Sequence, residues 1–220
     1  MHDVSSEATI GSPDSSRPRG WRPAGEPLQI KLGGVTTTDD ARLAAELGAW
    51  GVSVVLAPNV ARFVPADKAK SIFEDLPRTV RRIGVFRNQS VDVIERVADR
   101  LQLDWIELAG HEANDMVRAL GSERVIKTVV MHELIGIPIV TTYDAAWLQL
   151  EKASLGHAGV ADTVDLAMAA SLTAVRARVW LGGDCAENPL PAIEAAAHPW
   201  GLDVTRCCER EPGLKDPDSL

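Results

Sequence analysis

The chain has 220 residues, 45% of them hydrophobic, which is enough for one α/β core; 31 acidic residues against 23 basic ones leave a net charge of −8. That balance argues against nucleic acid or an anionic membrane surface as the main partner, and no apolar run approaches membrane-spanning length. The three cysteines, Cys185, Cys207 and Cys208, are too few for a disulfide framework and point to a reducing, cytoplasmic compartment.

Residues 1–27 are rich in Ser, Pro, Gly and Arg and carry both charge signs without an apolar segment, so they read as a disordered leader. The folded domain is then 28–220. Its hydrophobic pattern alternates: strand 28–33, helix 39–47, strand 51–57, helix 66–75, strand 81–86, helix 91–102, strand 105–108, helix 113–120 and strand 125–130. Met131–Ala146 is interrupted by Gly136 and Pro138, and the pattern resumes with strand 147–151, helix 162–173, strand 178–182, helix 189–197 and strand 202–206. Eight strands on a repeat of roughly 20–30 residues predict a small (β/α)8 TIM barrel, with an open doubly wound sheet as the alternative. Trp50, Trp105, Trp147, Trp180 and Trp200 stand at or just before strand starts, which places them on the barrel floor as apolar plugs.

In such a barrel the loop after each strand opens on the catalytic face. The first one, Leu32-Gly33-Gly34-Val35-Thr36-Thr37-Thr38, carries no ionisable group, although Lys31 stands next to the mouth; Thr38 can cap the helix that follows. Cys185, Cys207 and Cys208 all follow late strands, so a thiolate there could act at the mouth. Adjacent Cys207 and Cys208 would alternate in direction, so only one can point inward. With His157 and Asp184 they lack the usual ligand spacing, and neither a metal nor a cofactor is expected.

Five stretches, in register from about residue 28 onward, resemble the phosphoribosylanthranilate isomerase family, small barrel enzymes of tryptophan biosynthesis. Ile30-Lys31-Leu32-Gly33-Gly34-Val35-Thr36 is similar to its K-I-C-G-I-T opening, and Pro58-Asn59-Val60-Ala61-Arg62-Phe63-Val64 to its P-K-S-x-R-Y loop. Ile83-Gly84-Val85-Phe86-Arg87-Asn88 resembles V-G-V-F-x-N, and Ile106-Glu107-Leu108-Ala109-Gly110-His111-Glu112 resembles V-Q-L-H-G-x-E. Asp203-Val204-Thr205-Arg206-Cys207-Cys208-Glu209 with Pro212-Gly213-Leu214-Lys215-Asp216 echoes D-V-S-S-G-V-E and P-G-x-K-D.

The resemblance implies an Amadori isomerisation of N-(5-phosphoribosyl)anthranilate. Such a reaction needs an acid to open the ribose ring, a base to take the C2 proton and a phosphate cradle. The family's basic cysteine falls on Gly33. Its acidic aspartate at the end of strand 6 has Glu151 as the nearest equivalent, with Cys207 a candidate replacement for the base. Arg62 falls where the family binds the aromatic carboxylate. In the cradle, Gly183 and Asp184 stand after strand 7 and Arg206 after strand 8, where an Arg206–Asp184 pair would fill the anion pocket. The family's final helix has no counterpart after Asp216, which leaves the seam between strands 8 and 1 for the leader or a second copy, as in a homodimer. With the usual acid and base replaced, the expectation is a diverged barrel enzyme. It would act on a related aromatic carboxylate or sugar-like small molecule in specialised metabolism. The alternative is an inactive relative that serves as a binding or subunit-interaction protein.

Overall fold

The computed structural model describes residues 22, 23, 25–131, 142–152, 166–175, 178–182 and 189–220. Among these, eight parallel strands pair in sequence order and close into a barrel: β1 (Gln29–Leu32), β2 (Gly51–Val55), β3 (Arg81–Phe86), β4 (Trp105–Leu108), β5 (Val125–Met131), β6 (Trp147–Lys152), β7 (Val179–Gly182) and β8 (Gly201–Val204). Closure sets Lys31 of β1 opposite Asp203 of β8 and Leu32 opposite Val204. The (β/α)8 expectation is met, and the open-sheet alternative fails because β1 and β8 pair with each other.

Helices α1 (Thr38–Glu46), α2 (Ala66–Glu74), α3 (Val91–Leu101), α4 (Asn114–Ala119), α5 (Leu166–Thr173) and α6 (Leu190–Ala197) surround the strands. Each turns one apolar stripe inward. In α3 this is Ile94, Ala98 and Leu101, at the spacing that keeps residues on one helix face. These stripes pack with Leu32, Val52, Val54, Leu108, Leu148, Leu181 and Leu202 of the strands in one continuous core. The cap of α1 is Thr37 rather than Thr38: Thr37 has extended backbone and its Oγ1 accepts from the Asp40 N–H at 3.1 Å.

The barrel interior divides in two. Its lower half holds Ile83, Ile126, Trp147 and Trp180, with Trp50, Trp105 and Trp200 packed against them. Ring centroids of Trp50–Trp180 and of Trp147–Trp200 lie 4.9 Å apart, in tilted and edge-on arrangements that suit the ring quadrupoles. The tryptophans therefore form the expected floor. The upper half is polar and belongs to the candidate site.

Beyond β8 the chain leaves strand geometry at Thr205, earlier than the strand to 206 that the sequence predicts. It makes a 3-10 turn at Arg206–Cys208, a short antiparallel hairpin of β9 (Glu209–Glu211) and β10 (Leu214–Lys215), and a second 3-10 turn at Pro217–Ser219. Leu220 packs against the main core. At the floor end, Arg22, within the stretch expected to lie outside the fold, is buried; its Nε donates to the Pro199 carbonyl at 3.0 Å and its Nη2 pairs with Glu194 of α6. Arg22 thus belongs to the fold, held against the end of α6 and the segment before β8. No helix among the described residues is long and apolar enough to cross a membrane.

Candidate active site

Among the described residues a cavity of about 160 Å³ opens at the C-terminal ends of the strands, the face where barrels of this type carry their chemistry. Its wall includes Gly33 and Gly34 after β1, Arg62 after β2, Glu107 and Ala109 of the β4 region, Glu151 of β6, and Asp203, Thr205 and Arg206 around the end of β8.

The floor of this cavity is a buried charge cluster. Strand alternation turns Lys31, Glu107, Gln149 and Asp203 into the barrel. The fully buried Lys31 Nζ donates to Glu107 Oε2 at 2.5 Å and Gln149 Oε1 at 2.6 Å, and it lies 3.4 Å from Asp203 Oδ2. Burial pushes the Lys31 ammonium down, but Asp203 and Glu107 outweigh it and hold the group above its ordinary value. Thr128 Oγ1 donates to the other Glu107 oxygen at 3.0 Å. The Gln149 amide, its oxygen already taken by Lys31, donates through Nε2 to Asp203 Oδ2 at 2.8 Å and to Glu151 Oε1 at 3.0 Å. One amide therefore bridges two carboxyl groups and sets their spacing. Three acidic groups share one ammonium here, and the surplus falls on the outermost of them. Burial pushes the Glu151 carboxyl up, and the charges of Asp203 and Glu107 push it further, against Gln149 and Lys31.

Arg62 is fixed by a second network. Glu209 of β9 accepts from Arg62 Nε at 2.9 Å and from Nη2 at 2.5 Å, and it also accepts from Lys215 Nζ at 3.0 Å and from the Gly213 N–H at 3.1 Å. Burial pushes Glu209 up, but these hydrogen bonds from Arg62 and Lys215 outweigh it and hold the carboxylate below its usual range. The bond to Glu209 likewise raises Arg62. Glu209 occupies the Nε–Nη2 side of the guanidinium, and among the described residues the donors on Nη1 are left for a second carboxylate. Gly34 lets the arginine lie there: its φ is +65°, and a Cβ would fall 2.5 Å from Arg62 Cδ.

Of the residues singled out from sequence, Arg62, Glu151 and Arg206 share the cavity wall, together with Gly33. Gly183, Asp184, Cys185, His157 and the loop 155–160 lie outside the described residues, and so does the Arg206–Asp184 pairing. Cys207 does not join the wall. Because the chain turns at Thr205, Cys207 is half-buried in the 3-10 turn, while the buried Cys208 donates its thiol to the Thr205 carbonyl at 3.3 Å. Hydrogen bonding with Cys207, then burial, pushes the Cys208 thiol up, so it is no thiolate at neutral pH. His111 is exposed on its loop. The sequence did not reveal Glu107 and Gln149 as joint parts of the Lys31 cluster, nor Asp203, Glu209 and Lys215 as site residues. The usable signal was the two-residue alternation that puts Gln149 on the same strand face as Glu151.

The N-(5'phosphoribosyl)anthranilate (PRA) isomerase profile matches residues 30–220. The chain belongs to this family. It is 33% identical over 190 residues to N-(5'-phosphoribosyl)anthranilate isomerase of Pelobacter propionicus, covering 86% of this chain and 90% of that protein. The crystal structure of phosphoribosyl anthranilate isomerase from Thermus thermophilus superposes with a TM-score of 0.79 at 30% identity, over 87% of this chain and 94% of that one. A further phosphoribosyl anthranilate isomerase, solved with reduced 1-(o-carboxyphenylamino)-1-deoxyribulose 5-phosphate, superposes with a TM-score of 0.75 at 28% identity over 88% of this chain and 94% of that one.

Proposed function

We propose that this chain catalyses the family's reaction, the Amadori isomerisation of N-(5'-phosphoribosyl)anthranilate in tryptophan biosynthesis, with Glu151 as the general acid. The observation that carries this reading is the Glu151 carboxyl on the cavity wall, raised in pKa by burial and by the Asp203 and Glu107 charges. A carboxyl that keeps its proton beyond the ordinary glutamate range is suited to protonate the ribose ring oxygen as the C1–O bond breaks. Arg62 supports the same reading: its remaining N–H donors suit the anthranilate carboxylate, and Glu209 and Lys215 preset its orientation. Arg206, exposed on the same wall, is the described cation placed to meet the phosphate. The three cysteines fit a cytoplasmic reaction.

A second reading, a diverged enzyme for a related aromatic carboxylate, draws on Ala109, which adds an apolar side chain to a cavity wall that also holds Val55 and Val85. An inactive binding relative fits less well, because a carboxyl pushed above its ordinary value, an ion-paired carboxylate and a guanidinium converge on one cavity. The test is the fluorescence decay of phosphoribosylanthranilate at micromolar enzyme, with a competent family member as control. Turnover supports the isomerase. Silence, together with thermal stabilisation by other aromatic carboxylates that Arg62→Ala abolishes, would replace it with the second reading.

A further inference from the structure

The loop after β1 lacks the side chain that serves the family as base, and Gly33 cannot move a proton. The geometry points to Asp203 of β8 as the group that abstracts the substrate's C2 proton, using space that Gly33 leaves open. This inference rests on the isomerase reading above and completes its acid–base pair.

A Cβ built on Gly33 would fall 2.0 Å from Thr205 Oγ1 and 2.5 Å from Asp203 Oδ1. Both distances are far inside contact, so the volume that a side chain at 33 would fill already holds the Asp203 carboxylate and the Thr205 hydroxyl. The two Asp203 oxygens are not equivalent. Oδ2 is occupied, accepting from Gln149 Nε2 at 2.8 Å and lying 3.4 Å from Lys31 Nζ. Oδ1 meets Thr205 Oγ1 at 3.3 Å, a long contact that leaves lone-pair capacity toward the cavity Asp203 lines. Carboxylate and base site thus coincide in space although they come from opposite ends of the chain.

The step balances without a co-reactant. Glu151 gives its proton to the ring oxygen as the C1–O bond breaks and the anthranilate nitrogen becomes an iminium. Asp203 Oδ1 takes the C2 proton, and the C–H electrons form the C1–C2 double bond and neutralise the nitrogen. The resulting enol becomes the ketone as its hydroxyl proton leaves and C1 gains a proton, so C2 is oxidised and C1 reduced within one molecule. Gln149, hydrogen-bonded to both carboxyl groups, is a positioning residue that sets the acid and the base on the same side of the cavity.

Asp203→Asn keeps the shape and the Lys31 contact distance while removing the base. The expected result is a loss of about 10²–10⁴ in kcat with KM changed far less, and partial recovery of Asp203→Ala by added formate, which a merely structural role would not give. If Asp203→Asn does not fold, Gly33→Ala decides. Its added carbon must displace Thr205 Oγ1 and Asp203 Oδ1 while leaving the charge in place, and it too should lose at least tenfold in kcat. Wild-type turnover retained within threefold in Asp203→Asn, or in Gly33→Ala where that is the variant tested, overturns the assignment and leaves the isomerase standing. A wild-type protein that does not consume phosphoribosylanthranilate overturns both.

Discussion

The floor and the mouth of this barrel are built from the same eight strands by the same two-residue alternation, yet they solve opposite problems. On the floor, five tryptophans fill the interior, and the indole N–H groups of Trp147, Trp180 and Trp200 are buried without a hydrogen-bond partner among the described residues. Stability there comes from area and ring packing, which outweigh orphaned donors of modest individual cost. At the mouth, Lys31 directs its ammonium at three acceptors, and Gln149 uses both ends of its amide. A buried charge cluster seldom gains stability over an apolar filling of equal volume. The charges at the mouth do what an apolar filling cannot: they push the Glu151 carboxyl above its ordinary value beside an Asp203 that lies against the Lys31 ammonium.

The contrast can be broken from either side. Lys31→Met should have the largest effect on folding, because it strands Glu107 and Asp203 without their counter-charge; denaturant titration at pH 7 should show a loss of about 3–5 kcal/mol. A loss under 1 kcal/mol would mean that the cluster is solvated rather than buried. Arg62→Ala should raise KM by roughly ten- to a hundredfold, the worth of about 1.5–3 kcal/mol in charge-assisted hydrogen bonds, with a smaller change in kcat. Trp180→Phe should cost about 0.5–3 kcal/mol of stability and leave kcat per folded molecule unchanged. An altered kcat would show that the floor reaches the chemistry.

The smallest effect is in the pH dependence, where the two regions of the mouth have opposite signs. Glu209 is held below its usual range, so it binds fewer protons folded than unfolded; its contribution is present above about pH 4.3 and lost as pH falls through the folded value. Glu151 is raised, so its contribution is present below about pH 4.3 and lost as pH rises through the folded value. Glu209→Gln should therefore flatten the acid side of the thermal-melting profile, and Glu151→Gln the side above it, which calorimetry across pH 3–8 resolves.

Much of this molecule was legible in the sequence, because strand and helix periods dominate local patterning. The strand expectations at 81–86 and 105–108 match the observed ends, and the floor tryptophans follow from their place at strand starts. Arg62 and Glu151 were found by register with a family pattern and do share one cavity. What was not legible depends on residues far apart in the chain. In the sequence Gly33 shows only the group it lacks, whereas in space it gives room to Asp203 and Thr205, about 170 residues later. Cys207 lies away from the cavity wall because the chain turns at Thr205, and the extended pattern through 206 carries no local signal of that turn.

The central claim is that the mouth concentrates negative charge so that Glu151 stores a proton for ring opening. Carbon-13 NMR titration of the glutamate side-chain carboxyls, with Glu151 assigned by the signal missing in Glu151→Gln, tests it most directly. The account predicts a Glu151 midpoint clearly above the ordinary value of about 4.3, moving down when Asp203→Asn removes a neighbouring charge. A midpoint at or below the ordinary value would contradict it.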